Sequence, residues 1–519
     1  MFSNARRLSA RDGLHRSLAR SDNRRHDSGR RRRDKRDAPR SSNRGPGMNA
    51  TLVMAIVVGG GMVGLGGCAT APKDAGFGDV RKVVAQRIGQ AVQWDNQTAD
   101  DQAVHESVRA MLAGNLTVDQ AVQVALLNNH KLQVSFEDLG IAQADLVQAG
   151  LLKNPVFDLG IRFPTTPPSK TYVDISVAED FVNIFFIPAR RKLAQAELEQ
   201  VKSRVTDEIL TLAADAKSAF YGYQAAEQSV ELRRSIADVA AASAKSAEEL
   251  HEAGNSTDLE LINAKTQDAR AEADLADAEA GAADARERLN ELMGLWGPDT
   301  AWTINNRLPE LPAEEVSPEG LESLAIRRRA DLAAARQDIQ AQAQALGLTA
   351  RTRFLSEANV GPEGERETDG QWRIGPSLSV PLPLFDQGQA AVLRAQAALR
   401  QSEQRYWALA VDVRSQVRAA HTRMLSARSK AQLYHDQILP LEQQVVRQTQ
   451  LQYNGMFVGV FQLLQARRDQ IDAARQYIEA LRDYWIARAE LDRAVGGRLS
   501  SARAATNTTT QANPHGDMP

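Results

Sequence analysis

Cys68 is the sole cysteine of the 519-residue chain. One thiol allows neither an intrachain disulfide nor a cysteine-based zinc or iron–sulfur site. Its chemistry lies in its context, because it follows the uncharged apolar run Thr51–Leu65 and the small pair Gly66-Gly67. A run of about 15 apolar residues has the length of an export-signal core and is short for a membrane-spanning helix. A thiol presented there can take acyl chains, and each buried methylene holds a protein to a bilayer by about 0.8 kcal/mol. No catalytic constellation stands elsewhere. A phosphate-binding lysine loop and a paired-histidine zinc motif are both missing. His105, His130, His251, His421, His435 and His515 are scattered over separate segments. No enzyme, no cofactor and no metal site are expected, and any energy for function must come from a partner.

Charge is balanced, with 63 Lys+Arg against 65 Asp+Glu, which argues against a nucleic-acid binder. Residues 1–47 carry 14 arginines, including the run Arg30–Arg33. They are read as an extension upstream of a true start at Met48, the competing role being contact with anionic lipid or nucleic acid. Residues 48–67 form the signal segment. Leu65-Gly66-Gly67-Cys68 resembles a bacterial lipobox, which implies an acyl or diacylglyceryl lipid on Cys68 as the first mature residue. Ala69, rather than an aspartate, resembles outer-membrane sorting. Residues 68–80 are then a lipidated tether.

The rest of the chain uses one unit twice. Ala125–Leu132 is answered by Ala325–Leu332, Ala194-Gln195-Ala196 by Ala395-Gln396-Ala397, and Ala253-Gly254-Asn255 by Asn454-Gly455-Met456. The common order and an offset near 200 residues carry the argument, since few paired residues are identical. The copies span 81–294 and 319–497, with a Pro-containing linker at 295–318 and a disordered tail at 498–519. Each copy begins with a helix of moderate length, continues with two strands, and ends in two long helices joined at a glycine-containing tip.

Period-two alternation places strands near 155–163, 172–181, 352–361 and 372–381. In Val156–Phe163 and Tyr172–Ala178 one face is apolar, and Trp372, Ile374, Leu378 and Val380 share a face in the last strand. Pro376 predicts a kink or bulge there. Segments of about 9–11 residues have the length of strands that cross an outer membrane. Four strands from one chain cannot close a barrel in lipid, whereas three chains supply twelve.

The long helices are expected near 189–250, 258–293, 389–451 and 461–494. Leu198, Val201, Val205, Ile209 and Leu212 step by threes and fours, as in a coiled coil or long bundle. Pro440 predicts a break in the second copy. Gly254 and Gly455 are expected to make the tip turns. Asp258 is expected to cap the returning helix, the alternative being a pore group. Met456–Leu464 contains no carboxylate, so Phe457 and Phe461 are candidates for an apolar ring that gates a pore, or they simply pack the turn.

A duplicated helix, strand pair and helical hairpin is the layout of TolC-like outer-membrane factors. Pro381-Leu382-Pro383-Leu384-Phe385 resembles that family's turn between the last strand and the long helix. The resemblance covers roughly 80–497, and the lipobox resembles its lipidated members. It implies an α+β membrane protein, mostly α, with four transmembrane strands per protomer. A homotrimer would then have a 12-stranded β-barrel in outer membrane lipid and a periplasmic α-barrel. It implies an efflux duct docked to a periplasmic adaptor (membrane fusion) protein and an inner-membrane pump of the resistance-nodulation-division type. The loops Pro164–Lys170 and Pro362–Gly370 would face outside. The Pro-Leu-Pro-Leu-Phe turn and the Gly459–Gln465 tip resemble members linked to heavy-metal efflux, including copper. Competing readings are a lipidated periplasmic adaptor and a structural coiled-coil protein of the envelope. Neither accounts for two hairpins and four alternating strands.

Overall fold

The computed structural model describes residues 74–499 apart from 97–98, 167–169, 181, 316, 318 and 355–357. The Arg-rich extension, the signal segment, residues 68–73 of the expected tether, Cys68 among them, and the tail from Ser500 lie outside the described residues, and the rest of the expected tether runs into the first helix at Phe77. The first copy opens with α1 (Phe77–Ile88), α2 (Ala99–Leu112), the short β1 (Asn115–Leu116), α3 (Val118–Asn128) and α4 (His130–Gly150). Strands β2 (Val156–Arg162) and β3 (Tyr172–Ala178) lead into α5 (Val182–Glu252), which turns back as α6 (Asp258–Met293). A crossing segment contributes β4 (Thr303–Ile304), which pairs in parallel with β1. The second copy repeats the order with α7 (Leu321–Arg328), α8 (Ala330–Thr352), β5 (Asn359–Arg366), β6 (Trp372–Ser379), α9 (Gln389–Leu433), α10 (Leu439–Asn454) and α11 (Val460–Val495).

The copies share a locking detail. α3 gives way to α4 at Asn129, and α7 gives way to α8 at Arg329, both residues being extended. Against each break presses the glycine that ends the return helix. Gly294 and Gly496 are both left-handed, with φ of 67° and 85°. A Cβ at Gly294 would stand 2.5 Å from the Asn128 carbonyl oxygen, and one at Gly496 would stand 3.0 Å from the Arg328 carbonyl carbon. Each position therefore needs glycine twice, for its backbone angle and for the close approach. In the first copy the amides of Asn128 and Asn129 donate to the carbonyls of Met293, Gly294 and Leu292.

The crossing segment is packed against the helices. Trp302 is buried and donates its indole N–H to Asn290, while the Arg286 guanidinium lies 4.1 Å above its ring. Glu315 accepts from Arg428, Arg488 and the Tyr484 hydroxyl, joining the segment to α9 and α11. One core fills the first copy and its junction, and a second lies among α7, α8, α9 and α11.

Several expected boundaries move. The first long helix starts at Val182 rather than near 189 and carries Pro188 inside it. Only the Ile184 carbonyl loses its partner to that proline, so the second turn tolerates it. Its 71 residues span about 105 Å at 1.5 Å per residue. The break expected at Pro440 is a π turn at Tyr434–Ile438. Proline offers no N–H to the carbonyl four residues back, and one widened turn absorbs the mismatch. The strand expected near 352–361 runs instead over Asn359–Arg366, while Thr352 ends α8. Its alternation is concealed because Pro362 and Gly364 occupy apolar-face positions, and most of the loop expected at Pro362–Gly370 is strand. Pro376 makes no bulge, since β5 and β6 keep one register from Asn359↔Ser379 to Arg366↔Trp372.

Two predictions test this packing. A Cβ at Gly361 would lie 1.7 Å from the Val177 carbonyl oxygen, whereas Gly375 on the neighbouring strand faces open space. Gly361→Ala should cost about 1–3 kcal/mol in denaturant unfolding, with Gly375→Ala near wild type; equal losses would refute the close approach. Asp207 is held above the usual carboxylate range by burial first, then by Asp331, against the lowering pull of Arg329 and Arg493. A raised folded value means the folded state binds more protons, so this group destabilises increasingly as pH rises through that value. Asp207→Asn should melt higher than wild type at pH 8, with the difference closing as pH falls below the ordinary aspartate range.

Candidate functional site

The four strands form one antiparallel sheet in the order β2-β3-β5-β6. The register sorts side chains cleanly. Phe157, Leu159 and Ile161 oppose Val177, Ile175 and Val173. Val360, Pro362 and Gly364 oppose Leu378, Pro376 and Ile374. These positions make one apolar face, which ends at Arg366, opposite Val173 and Trp372. Phe157, Leu159, Ile161, Ile374 and Leu378 are 51–77% exposed, with nothing covering them. The opposite face carries Asp158, Arg162, Asp174, Glu363, Glu365 and Arg373. The Tyr172 hydroxyl donates to Glu365, and the Arg162 guanidinium lies over the Tyr172 ring. Both edges, β2 and β6, are unpaired.

At the helix end of the sheet, Phe185 and Phe385 are 81% and 94% exposed. Phe385 ends the Pro-Leu-Pro-Leu-Phe turn. At the other end the loops are tied, the Lys170 N–H donating to the Thr368 carbonyl at 2.8 Å.

The helical tips lie at the far ends of α5 and α10. At the first, Gly254 takes the left-handed conformation, φ 74°, and the Asn255 N–H donates to the Leu250 carbonyl. Thr257, not Asp258, caps α6. Its hydroxyl accepts from the Glu260 N–H, and the Glu260 carboxylate accepts from the Thr257 N–H. The reciprocal pair satisfies two free amides, which a threonine with a glutamate three residues on does and Asp258 cannot. Asp258 is the first helical residue, 87% exposed, with Oδ1 3.3 Å from His251 Nε2. His251 Nδ1 donates to the Ser256 carbonyl at 3.1 Å.

The second tip solves the same turn differently. Gly455 has φ −83° and is not the left-handed residue. Met456 is, at φ 62°. The Met456 N–H donates to the Tyr453 carbonyl and the Phe457 N–H to the Gln452 carbonyl. Gly254 therefore corresponds to Met456 rather than to Gly455. A Cβ at Gly455 would meet the exposed Phe457 ring at 2.8 Å, so that ring would have to turn aside. Met456 and Phe457 are 93% and 85% exposed. Phe461 lies in the first turn of α11, and its side chain is outside the described residues. The chain thus places Phe457 with Met456 at the tip. The glycine in the sequence hid Met456 as the turn residue, and the capping pair Thr257–Glu260 was legible in principle from its spacing. Glu363 and Glu365 also escaped notice, because their strand was read as loop. Among the described residues no helix is long and apolar enough to cross a membrane, and no group of three or more His, Cys, Asp or Glu could hold a metal ion.

Residues 121–295 and 321–497, one segment from each copy, match the family described as outer membrane efflux protein. The chain belongs to the outer membrane efflux protein family. It is similar to the cobalt-zinc-cadmium resistance protein CzcC of Cupriavidus metallidurans, 24% identical over 392 residues, 74% of this chain and 91% of that protein. Among solved structures it resembles the outer-membrane channel OprN, with a TM-score of 0.60, 20% identity, and coverage of 73% of this chain and 90% of that one. It also resembles CusC, with a TM-score of 0.60, 16% identity, and coverage of 73% and 92%. At these identities the structural likeness establishes the fold. The protein is an outer membrane efflux protein, and its fold is that of the TolC-like outer-membrane channels.

Met456 gives this part of the channel a test. A non-glycine residue in the left-handed region costs roughly 1–2 kcal/mol. Met456→Gly should slow amide exchange at Met456–Val460 about five- to thirty-fold by removing that strain. Unchanged or faster exchange would count against it.

Proposed function

We propose that three copies of this chain close a single twelve-stranded barrel through which substrate leaves the cell. The observation that carries this is the sheet: one face apolar apart from Arg366 at its loop end, the other charged, both edges unpaired among the described residues. An open edge in hydrocarbon leaves amides and carbonyls without partners, each at a cost of several kcal/mol. Edge β6 of one chain pairing with β2 of the next removes every edge after three repeats. The apolar face then meets lipid, and the charged face lines the passage. Phe185 and Phe385 fall at the periplasmic boundary of the bilayer, where aromatic residues anchor barrels. The hairpins α5/α6 and α10/α11 continue the duct into the periplasm. Their tips meet a periplasmic adaptor and an inner-membrane pump of the resistance-nodulation-division type, which supplies the energy. Cys68 carries a lipid that holds each chain at the outer membrane. The channel itself performs no catalysis.

The cargo we infer is divalent heavy-metal cations, supported by the similarity to a cobalt-zinc-cadmium resistance protein over 91% of that protein's length. The excess of carboxylates over guanidinium groups on the polar face suits cations. Drug export is the second reading.

The purified protein should run as a heat-resistant trimer in detergent and conduct ions in planar bilayers. A strain lacking it should lose tolerance to cobalt, zinc or cadmium, restored by the wild-type chain. A monomer that needs no detergent and conducts nothing would overturn the duct. Unchanged metal tolerance with heightened drug sensitivity would overturn the metal cargo alone.

A further inference from the structure

We propose that the first hairpin tip is a two-donor landing site for a divalent cation of the zinc, cobalt, nickel and copper class, held by His251 and Asp258. The argument starts from one hydrogen bond. The Ser256 carbonyl can only accept, so His251 Nδ1, 3.1 Å away, carries the proton. In a neutral ring the other nitrogen, Nε2, then has a bare lone pair. Asp258 Oδ1 stands 3.3 Å from that nitrogen. Two acceptors at this distance repel unless they share a cation, either a second ring proton or a metal ion.

The spacing suits a metal ion. With Zn–N and Zn–O bonds of about 2.1 Å, donors 3.3 Å apart subtend about 104° at the metal, close to the tetrahedral angle. The backbone carbonyl on Nδ1 fixes the tautomer and the ring plane, as ligating histidines require. His251 sits in the last turn of α5, the negative end of the helix dipole. Glu249 and Glu252 add negative charge in that turn. An imidazole and a carboxylate favour borderline transition cations over magnesium or calcium. Water fills the remaining positions, which keeps binding weak enough for release, as a conduction path needs.

His435 shows what an ordinary surface pair looks like. There Nδ1 faces the Asp436 carboxylate at 2.7 Å, so a neutral ring satisfies the carboxylate with its own proton and leaves no gap for a cation. The proposal rests on the tip geometry alone, and it gives the metal-export reading a place where cargo first meets the duct.

The test is zinc binding to the purified full-length protein by equilibrium dialysis in excess magnesium. Wild type and His435→Ala should bind one more zinc per chain than His251→Ala and Asp258→Asn do. At the free zinc that half-fills the wild-type tip, each tip variant should show at least a tenfold weaker site. Trimers of equal heat resistance, measured alongside, show that the variants are folded. Equal zinc binding by all four proteins, or equal loss with His435→Ala, would overturn the site. The cargo reading fails on a different measurement, the metal tolerance of the deletion strain, so the two can fall separately.

Discussion

Hydrocarbon offers no partner to a peptide group, and the architecture follows from that. A sheet of four strands presents two unpaired edges, and neither can lie in lipid. The sequence of β2 and β6 makes those edges apolar on one side and polar on the other, so they cannot be hidden inside the monomer without burying charge. Pairing with another copy satisfies the edges and the faces together. In the proposed trimer the channel is a consequence of an incomplete sheet, and symmetry completes what one chain leaves open.

Duplication serves the same end. Each copy must carry a long hairpin away from the sheet and anchor its base rigidly. Both copies use the same device: a helix break presented to the left-handed glycine that ends the return helix, Asn129 against Gly294 and Arg329 against Gly496. The side chains around these junctions have diverged. The first copy uses asparagine amides on carbonyls, while the second uses Arg329 bound to Asp331 and Gln416. The backbone constraint survives because it depends on the absence of a side chain, which few substitutions preserve.

The tips show divergence under the same constraint. Both close with matching hydrogen bonds around one left-handed residue. The first spends a glycine there and builds a capping pair after it. The second places a methionine there and leaves two large apolar side chains in water. Exposed apolar groups on a strained turn are costly in a free protein, and their retention fits a tip that works against other surfaces.

Much of this was legible in the chain by itself. Period-two alternation located β2, β3 and β6, threefold-to-fourfold spacing located the long helices, and the repeated order pointed to the family. These signals are local, so a sequence displays them. What escaped was decided by contact. The alternation of β5 is interrupted at Pro362 and Gly364, and the close approach that demands a glycine beside them, at Gly361 against the Val177 carbonyl, exists only once the strands are paired. Which residue near Gly455 turns the chain is set by the backbone hydrogen bonds of Met456 and Phe457 to the Tyr453 and Gln452 carbonyls. The meeting of His251, Ser256 and Asp258 is likewise a product of the turn, since a list of scattered histidines cannot say which nitrogen a carbonyl has already claimed. Spacing along the chain determined the elements; close approach between them, set by excluded volume and hydrogen-bond direction, decided the register, the turns and the site.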